Sequence, residues 1–303
     1  MHQNMFRIFL SAACALVMSA TQAAPIKDDA GHTLDLRRPA MRVITLAPSL
    51  TEMLYEVGGG DKLVGTVEYS NFPPAAKDVE RIGSNQKLDL ERIAALKPDL
   101  VLVWYHGNAL REVERITALG IPMFYLEPHT IADIPDVLER IGQLIGNDRQ
   151  AQEAAQRFRA RHAALKAQYT NRAPINVFYQ ISSKPLMTIN NQQIISDVIQ
   201  LCGGVNVFGK EPMLVPQLST ESVVAINPDV ILASHLGTSE GGAVRDPNGG
   251  NVKSWNTFAG MKAVRTGQIW LIPGDQISRH GPRILEAAQA VCTALDAARA
   301  ASK

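Results

Sequence analysis

Short apolar runs alternate with amphipathic segments along the first half of the chain, which predicts strands that alternate with helices. The strands are expected at 43–46, 63–67, 100–104 and 122–126, and the helices at 48–57, 90–96 and 110–119. An Asp-Ala-Gly turn between two short runs at 26–36 predicts a hairpin before them. Such alternation is typical of parallel sheets whose faces are covered by helices, so the predicted fold class is α/β.

One long segment interrupts the alternation of strands and helices. Residues 148–169 contain no Gly or Pro and are rich in Ala, Gln, Arg and Lys, which are good helix formers. A helix of that length would extend roughly 33 Å, which is too long for a crossover inside one small lobe. It is long enough to run along two lobes and connect them.

The second half of the chain repeats a unit of the first half. Residues 90–102 align with residues 220–232 at a constant offset, and Glu, Ala, Pro, Asp and Leu are identical in the two copies. A helix, a Pro-Asp turn and a strand used twice predict a duplicated α/β lobe, although short amphipathic units can also resemble each other by chance. We therefore predict two Rossmann-like lobes with parallel sheets, 24–146 and 171–303, joined by a backbone helix at 147–170, with a ligand cleft between them.

The N-terminus carries the pattern of a cleavable export signal. Arg7 precedes an apolar run at 8–18, and Thr21-Gln22-Ala23 places small residues where a signal peptidase cleaves. This predicts a signal peptide at 1–23 and a periplasmic mature protein. The alternatives are a retained membrane anchor and lipidation at Cys14.

Composition and charge exclude several classes of function. The 303 residues are 46% hydrophobic and 19% charged, with a formal net charge of +1 and no basic block, so no nucleic-acid partner is expected. The chain has no Gly-x-Ser-x-Gly elbow, no phosphate-binding Gly-rich loop of the Walker type and no His-Glu-x-x-His motif. We therefore expect a binding protein and not an enzyme.

Two cysteines remain after removal of the predicted signal peptide, Cys202 and Cys292. An even pair in an exported protein predicts a disulfide, and the alternative is a pair of buried free thiols. Their separation excludes a Cys-x-x-Cys redox pair or a zinc ribbon. A disulfide that closes a loop of about 90 residues would stabilise the fold by roughly 4 kcal/mol in the chain-entropy model.

The ligand site is expected where parallel strands end, because ligands of open α/β sheets bind outside the carboxyl ends of the strands. Several aromatic and polar residues occupy these predicted ends. They are Tyr69, Trp104, Tyr105, His106, Gly107, Asn108 and His235. Aromatic faces with polar edges suit a large, flat and partly apolar ligand, although core packing is the alternative for each aromatic residue.

Four sequence blocks carry a resemblance to a known family. They are VITLAPSLTEML at 43–54, LDLERIAALKPDLVLVW at 88–104, CGGVNVF at 202–208 and PRILEAAQAVC at 282–292. In this order they resemble the helical-backbone class (class III) of periplasmic substrate-binding proteins of ABC importers. The resemblance covers residues 41–297 and is strongest to the members that serve corrinoid import. It implies a macrocyclic ligand, cobalamin or a related corrinoid, and delivery by a monomer to an ABC permease dimer with its ATPase subunits.

The resemblance also assigns residues. Glu91 and Glu221 match the glutamates that dock onto permease arginines in this family, although a carboxylate in a first helical turn is also favoured by the helix dipole. Asp275 and Arg279 match residues that contact the corrin periphery, and the alternative is a surface ion pair. Tyr69 and Trp104 match residues of the family's corrin-contacting loops.

Other functions remain open at this point. A ferric-siderophore or haem-binding protein has the same architecture, and a non-transport sensor partner in the periplasm is an alternative from another class. His106, His235 and His280 lie in predicted cleft loops, but no stretch pairs them at metal-ligand spacing, so we expect no protein-bound metal and no cofactor. The alternatives are direct capture of a metal ion, or coordination of a corrinoid cobalt or haem iron by one of these histidines.

Overall fold

A computed structural model describes residues 25–235 and 241–301. The predicted signal peptide at 1–23 lies outside these residues. The strands are β1 Ile26–Lys27, β2 Thr33–Leu34, β3 Val43–Thr45, β4 Leu63–Thr66, β5 Leu100–Trp104, β6 Met123–Leu126, β7 Ile175–Gln180, β8 Ser182–Ser183, β9 Leu186–Met187, β10 Gly204–Asn206, β11 Val230–His235, β12 Val244–Arg245 and β13 Ile269–Pro273. The α-helices are α1 Pro48–Glu56, α2 Leu90–Leu96, α3 Leu110–Thr117, α4 Ile134–Ile145, α5 Asp148–Tyr169, α6 Ile194–Leu201, α7 Thr220–Ile226, α8 Lys262–Arg265, α9 Gly274–Ile277 and α10 Ile284–Ala301.

The predicted elements of the first half are present, and α2, β5 and α5 have the expected bounds. The hairpin is also confirmed, with β1 antiparallel to β2. Helix α3 ends two residues before the expected position because Leu119 and Gly120 donate to carbonyls three residues back, which closes the helix with a tight turn.

Two parallel sheets organise the molecule, and this confirms the predicted α/β class with two lobes. The first sheet has the strand order β4-β3-β5-β6, and all its pairs are parallel. The second has the order β10-β7-β11-β13-β12. Its last strand, β12, is antiparallel to β13 and was not predicted, because Val244–Arg245 is too short to give a recognisable pattern. The lobe boundaries at 146 and 171 stay a prediction.

Each sheet is buried on both faces, which explains why its strands are continuously apolar. Leu100 and Leu102 of β5 belong to the largest hydrophobic cluster, whereas Val101 and Val103 point into a separate cluster on the other face of the sheet. The same alternation occurs along β7 and β11 in the second sheet. The largest cluster extends from the first sheet to the second, so one apolar core joins the two halves.

Helix α5 contributes directly to this shared core. Ala151, Ala154 and Phe158 are buried within the cluster that both sheets share. The helix packs mainly against α4 in the first half and also contacts α6 and α10 in the second. The helix therefore packs against both halves of the molecule.

The repeated unit has the same local structure in both copies. Asp89 caps α2 and Ser219 caps α7, each by accepting a hydrogen bond from the backbone N–H three residues on. Both helices end in a left-handed residue. Asp99 and Asp229 then each accept a backbone N–H at the start of the adjoining strand, from Arg42 and from Asn176. The two copies of the repeated unit therefore have the same local fold, and their caps and aspartates make equivalent hydrogen bonds.

The predicted disulfide is present between Cys202 and Cys292. Both residues are fully buried, and the bond ties the end of α6 to the middle of α10.

Among the residues described, we find no helix with the length and apolar character needed to cross a membrane.

Candidate ligand-binding cleft

A cleft of about 870 Å³ lies between the two sheets, at the carboxyl ends of their strands. Its walls come from the ends of β5, β7 and β11, the loop 127–130 after β6, the start of α6 and the segment 278–280. This volume is near the upper end of the range for small-molecule sites, about 300–1,000 Å³, and suits a large ligand.

The first wall is built around the indole of Trp104. The ring lies on the backbone of Gly107, where an added Cβ would come within 2.0 Å of it, so only glycine fits there. The side chain of Asn108 accepts a hydrogen bond from the backbone N–H of Trp104 and donates to the carbonyl of Leu46, each at 2.8 Å. Asn108 is buried and therefore shapes this wall from behind.

His106 and Tyr105 form the exposed edge of the same wall. The side chain of His106 is 68% exposed, and its Nδ1 is hydrogen-bonded to the carboxylate of Glu127. The ring of Tyr105 lies 4.1 Å from that of His106, centroid to centroid, and 5.8 Å from the ring of Tyr125. Tyr105 thus supports His106 but does not itself line the cleft.

His280 closes the inner end of the cleft. Its ring meets the indole of Trp104 edge to face at a centroid distance of 5.8 Å. Its Nε2 lies 3.3 Å from the side-chain amide nitrogen of Gln193, which precedes α6. Burial lowers the pKa of His280 from 6.5 to about 4, so its imidazole is neutral at physiological pH.

The opposite wall contributes Tyr179 at the end of β7 and Ser234 at the end of β11. Burial raises the pKa of the Tyr179 phenol, and a hydrogen bond with Ser234 opposes this effect. The phenol therefore stays protonated and presents a neutral hydroxyl. The cleft walls are mainly apolar with a few polar groups, as expected for a ligand that is itself partly apolar.

A buried ion cluster joins the two halves beside the cleft. The carboxylate of Glu52, on α1, accepts hydrogen bonds from Arg279 at 2.8 Å and from Arg283 at 2.7 and 2.9 Å. We call these three residues the Glu52 cluster. Arg279 also pairs with Asp275 at 2.9 Å and donates to the carbonyl of Tyr69 at 2.9 Å.

The Glu52 cluster orders the loop that carries Tyr69. Arg283 lies 4.0 Å above the ring of Phe72, and Asn71 donates to Asp275 at 3.2 Å. Tyr69 has a left-handed backbone with φ of 65°, and its side chain projects outward with 78% exposure. The exposed phenol is therefore held on a fixed loop outside the cavity.

The predicted ligand-binding residues thus fall into two groups. Trp104, His106 and Gly107 line the cleft. The others do not line it, and they are Tyr69, Tyr105, Asn108, His235, Asp275 and Arg279. Asp275 and Arg279 pair with each other, as the ion-pair alternative expects, but the guanidinium is buried in the Glu52 cluster and not at the surface.

Sequence reasoning missed the contribution of α6. Gln193 and Asp197 line the cleft, and Asp197 also accepts a hydrogen bond from the backbone N–H of Ile131 across the two halves. The signal that could have located this wall is the polar run at 190–193, which directly precedes two isoleucines. Polar residues at the start of a helix are also ordinary caps, which is why the run was not informative alone.

The two predicted docking glutamates lie away from the cleft. Glu91 and Glu221 occupy the first turns of α2 and α7 and are both exposed. The start of α2 lies near the carboxyl end of β4, because Asp89 donates to the carbonyl of Ile82 and Ile82 donates to that of Thr66. The start of α7 is joined in the same way to β9, which follows the end of β7. The two carboxylates therefore lie towards the carboxyl ends of the strands but outside the cavity. The structure describes no group of three or more His, Cys, Asp or Glu residues that could hold a metal ion in 25–235 and 241–301.

Comparison with known proteins identifies the class. A family model described as periplasmic binding protein matches residues 43–276, which covers both parallel sheets, α5 and most of the cleft lining. The chain belongs to the periplasmic binding protein family. This family consists of substrate-binding proteins and not of enzymes, in agreement with the sequence prediction.

Individual members of the family are similar to this chain over most of its length. The chain is 38% identical over 261 residues to the vitamin B12-binding protein of Vibrio cholerae, covering 86% of this chain and 91% of the relative. It is 36% identical over 256 residues to the vitamin B12-binding protein of Photorhabdus laumondii, covering 84% and 88%. The crystal structure of the periplasmic vitamin B12 binding protein BtuF of Vibrio cholerae superposes with a TM-score of 0.77 over 86% of this chain and 98% of that one, at 38% identity.

A haem-binding protein shares the fold. Periplasmic RhuT from Roseiflexus superposes with a TM-score of 0.74 over 86% of this chain and 99% of that one, at 22% identity. At this level of identity the likeness establishes the fold alone.

Proposed function

We propose that the chain is the periplasmic vitamin B12-binding component of an ABC importer. The observation that carries this proposal is its 38% identity to a vitamin B12-binding protein, over 91% of the length of that relative. A large cleft with aromatic and polar walls is compatible with a corrinoid, whose macrocycle is flat and whose periphery carries amides.

Within this proposal, Trp104 provides the main apolar contact to the macrocycle, and Gly107 keeps the indole in place. His106 binds at the open edge. Tyr69, Tyr105 and His235 are proposed to contact the parts of the ligand that extend beyond the cavity. Asn108, Asp275 and Arg279 are proposed to act by holding the cleft walls, since their polar groups already have protein partners; those partners include Leu46, Asn71 and Glu52.

Ligand titration tests the proposal directly. The chain from residue 24 onward, purified without ligand, should bind cyanocobalamin with a 1:1 stoichiometry in calorimetry, and Trp104→Ala should weaken binding because it removes the indole face. Trp270→Ala is a matched control, since Trp270 is half-buried and does not line the cleft. Binding of haemin or a ferric hydroxamate in place of any corrinoid would overturn the proposal and favour the haem or siderophore alternative.

We further propose that Glu91 and Glu221 bind arginines of a permease dimer. The two carboxylates occupy equivalent positions of the repeated unit, 130 residues apart, and both are exposed. A pseudo-symmetric pair of this kind suits a two-fold symmetric partner, and Arg–carboxylate pairs fix orientation as well as adding affinity.

The double variant Glu91→Ala/Glu221→Ala separates docking from ligand binding. Ligand affinity should be unchanged, because neither residue lies in the cleft, whereas permease binding should weaken by about 2–5 kcal/mol for each desolvated pair. Glu153→Ala, an exposed glutamate on α5, is the control. If the two glutamates only support their helices, each change should cost about 0.3–1 kcal/mol of folding stability and leave docking intact.

Export through a signal peptide completes the proposal. Cleavage after Ala23 should leave Ala24 as the first residue of the periplasmic protein, which N-terminal sequencing of protein from the periplasmic fraction would test. An intact N-terminus in the membrane fraction would favour the retained anchor.

A further inference from the structure

His280 differs from the other histidines near the cleft. His106 is exposed and its Nδ1 is bonded to Glu127, and His235 does not line the cavity. His280 lines the inner end of the cavity, packed against the indole of Trp104. In the sequence it was one of three loop histidines for which coordination of a ligand metal was an alternative.

The hydrogen bonds of Gln193 determine where the free electron pair of His280 lies. The Oε1 of Gln193 accepts from the backbone N–H of Ile195 at 2.6 Å, so the atom facing His280 is the amide nitrogen, which can only donate. Nε2 of His280 must therefore be the acceptor, and the proton is on Nδ1. Nδ1 is buried and has no hydrogen-bond partner among the described residues, although the backbone of Pro128 lies near the imidazole.

This arrangement matches part of the pattern of a metal-binding imidazole. Histidines that bind metals usually direct the N–H of the other ring nitrogen to a backbone carbonyl or a carboxylate, which fixes the tautomer and the ring orientation. In His280 the donor of Gln193 fixes the tautomer instead, and it meets the electron pair of Nε2 by a long contact of 3.3 Å. A ligand could displace that contact at little cost.

We propose that Nε2 of His280 coordinates the cobalt of a bound corrinoid whose axial position carries an exchangeable water. The proposal rests on the proposed corrinoid-binding function. On binding, water leaves the cobalt and the imidazole electron pair takes its position, with no electron transferred and the cobalt remaining Co(III). Neutral imidazole is the form that binds metals, and burial keeps His280 in this form.

Absorption spectroscopy of the complex tests this assignment, because the corrinoid spectrum changes when an axial ligand is exchanged. Addition of aquacobalamin to the protein should shift its absorption bands towards those of aquacobalamin mixed with free imidazole. Cyanocobalamin, whose cyanide exchanges slowly, should bind without this shift. His280→Ala should abolish the shift and weaken aquacobalamin binding by about tenfold or more while changing cyanocobalamin binding less.

Two further variants test whether the spectral shift depends on His280 itself. Gln193→Leu removes the competing donor together with the acceptor that caps α6, and the shift should persist. His32→Ala changes an exposed histidine outside the cleft and is the control. An unshifted spectrum of bound aquacobalamin, a shift that survives in His280→Ala, or a shift lost in His106→Ala would each overturn the assignment. Cyanocobalamin binding in the same samples distinguishes these results from failure of the proposed function, in which neither corrinoid binds.

Discussion

Replacement of Glu52 by Gln should destabilise the protein far more than any exposed charge change, because Glu52 is the shared anion of two buried arginines. Its carboxylate is 2% exposed, and the side chains of Arg279 and Arg283 are each 9% exposed. Glu52 belongs to the first half of the chain, and its partners lie 227 and 231 residues later. The ion cluster therefore connects the two halves as well as balancing charge.

The expected loss of stability follows from the two arginines that remain buried after the substitution. Glu52→Gln removes the negative charge but keeps the shape, so two guanidiniums lose their charged acceptor while they remain buried. Removal of one partner from a buried ion pair costs about 3–5 kcal/mol. Arg279 keeps Asp275 and Arg283 keeps the ring of Phe72, so we expect a total within this range and not twice as large.

Glu56→Gln is the matched control. Glu56 lies one turn later on the same helix and pairs with Arg157 at 3.1 Å, but both side chains of this pair are solvent-exposed. An exposed pair contributes at most about 1 kcal/mol. Urea unfolding followed by circular dichroism, at pH 7 for both variants, gives the two free energies of unfolding.

The free energies of unfolding of the two variants show whether the Glu52 cluster stabilises the junction between the halves. Because the Glu52 cluster joins the halves, Glu52→Gln should also broaden the transition or divide it into two steps. Arg283→Met combined with Glu52→Gln should lose less stability than the sum of the single changes, since the two residues are in direct contact. If Glu52→Gln costs no more than Glu56→Gln, the cluster does not stabilise the junction and this reasoning is wrong.

Three further predictions concern the cleft wall, the disulfide and pH. Gly107→Ala should displace the Trp104 indole and weaken cyanocobalamin binding measured by calorimetry, with intact binding as the contrary result. Replacement of Cys202 and Cys292 by Ala should lower the free energy of unfolding by about 2–5 kcal/mol in urea denaturation, and no change would contradict this. Because His280 has a lower pKa in the folded protein than when unfolded, the unfolded state binds more protons between about pH 6.5 and 4, so stability should fall as pH decreases through this window. Unfolding at pH 4.5 and 7 should show a loss of roughly 2–3 kcal/mol that His280→Gln reduces.

Local sequence signals predicted the elements that depend on local interactions. The bounds of α2 follow from its cap Asp89 and from the Pro-Asp turn after it, and those of α5 follow from its uninterrupted run of helix formers. The position of the cleft followed from the topology, because parallel strands place their carboxyl ends at one edge of the sheet. The disulfide followed from the count of cysteines in an exported chain.

Contacts between distant residues could not be predicted in this way. Glu52 follows Pro48 in an ordinary amphipathic helix, and nothing near it in sequence indicates that two arginines more than 220 residues later will surround it. His280 was visible only as one of several loop histidines. Its burial, its tautomer and its contact with Gln193 depend on how the two halves pack together.

The repeated unit explains why some parts of the two halves are nearly symmetric although the cleft walls are not. In both copies the helix needs an N-cap and the strand needs an aspartate to accept a neighbouring backbone N–H, so Asp99 and Asp229 make equivalent bonds. These requirements are the same in each half, and they keep Glu91 and Glu221 in equivalent places. At the carboxyl ends of the strands no such requirement exists, and Trp104 in one half corresponds to Ser234 in the other. The two cleft walls therefore differ, while the repeated units around them keep equivalent positions for Glu91 and Glu221.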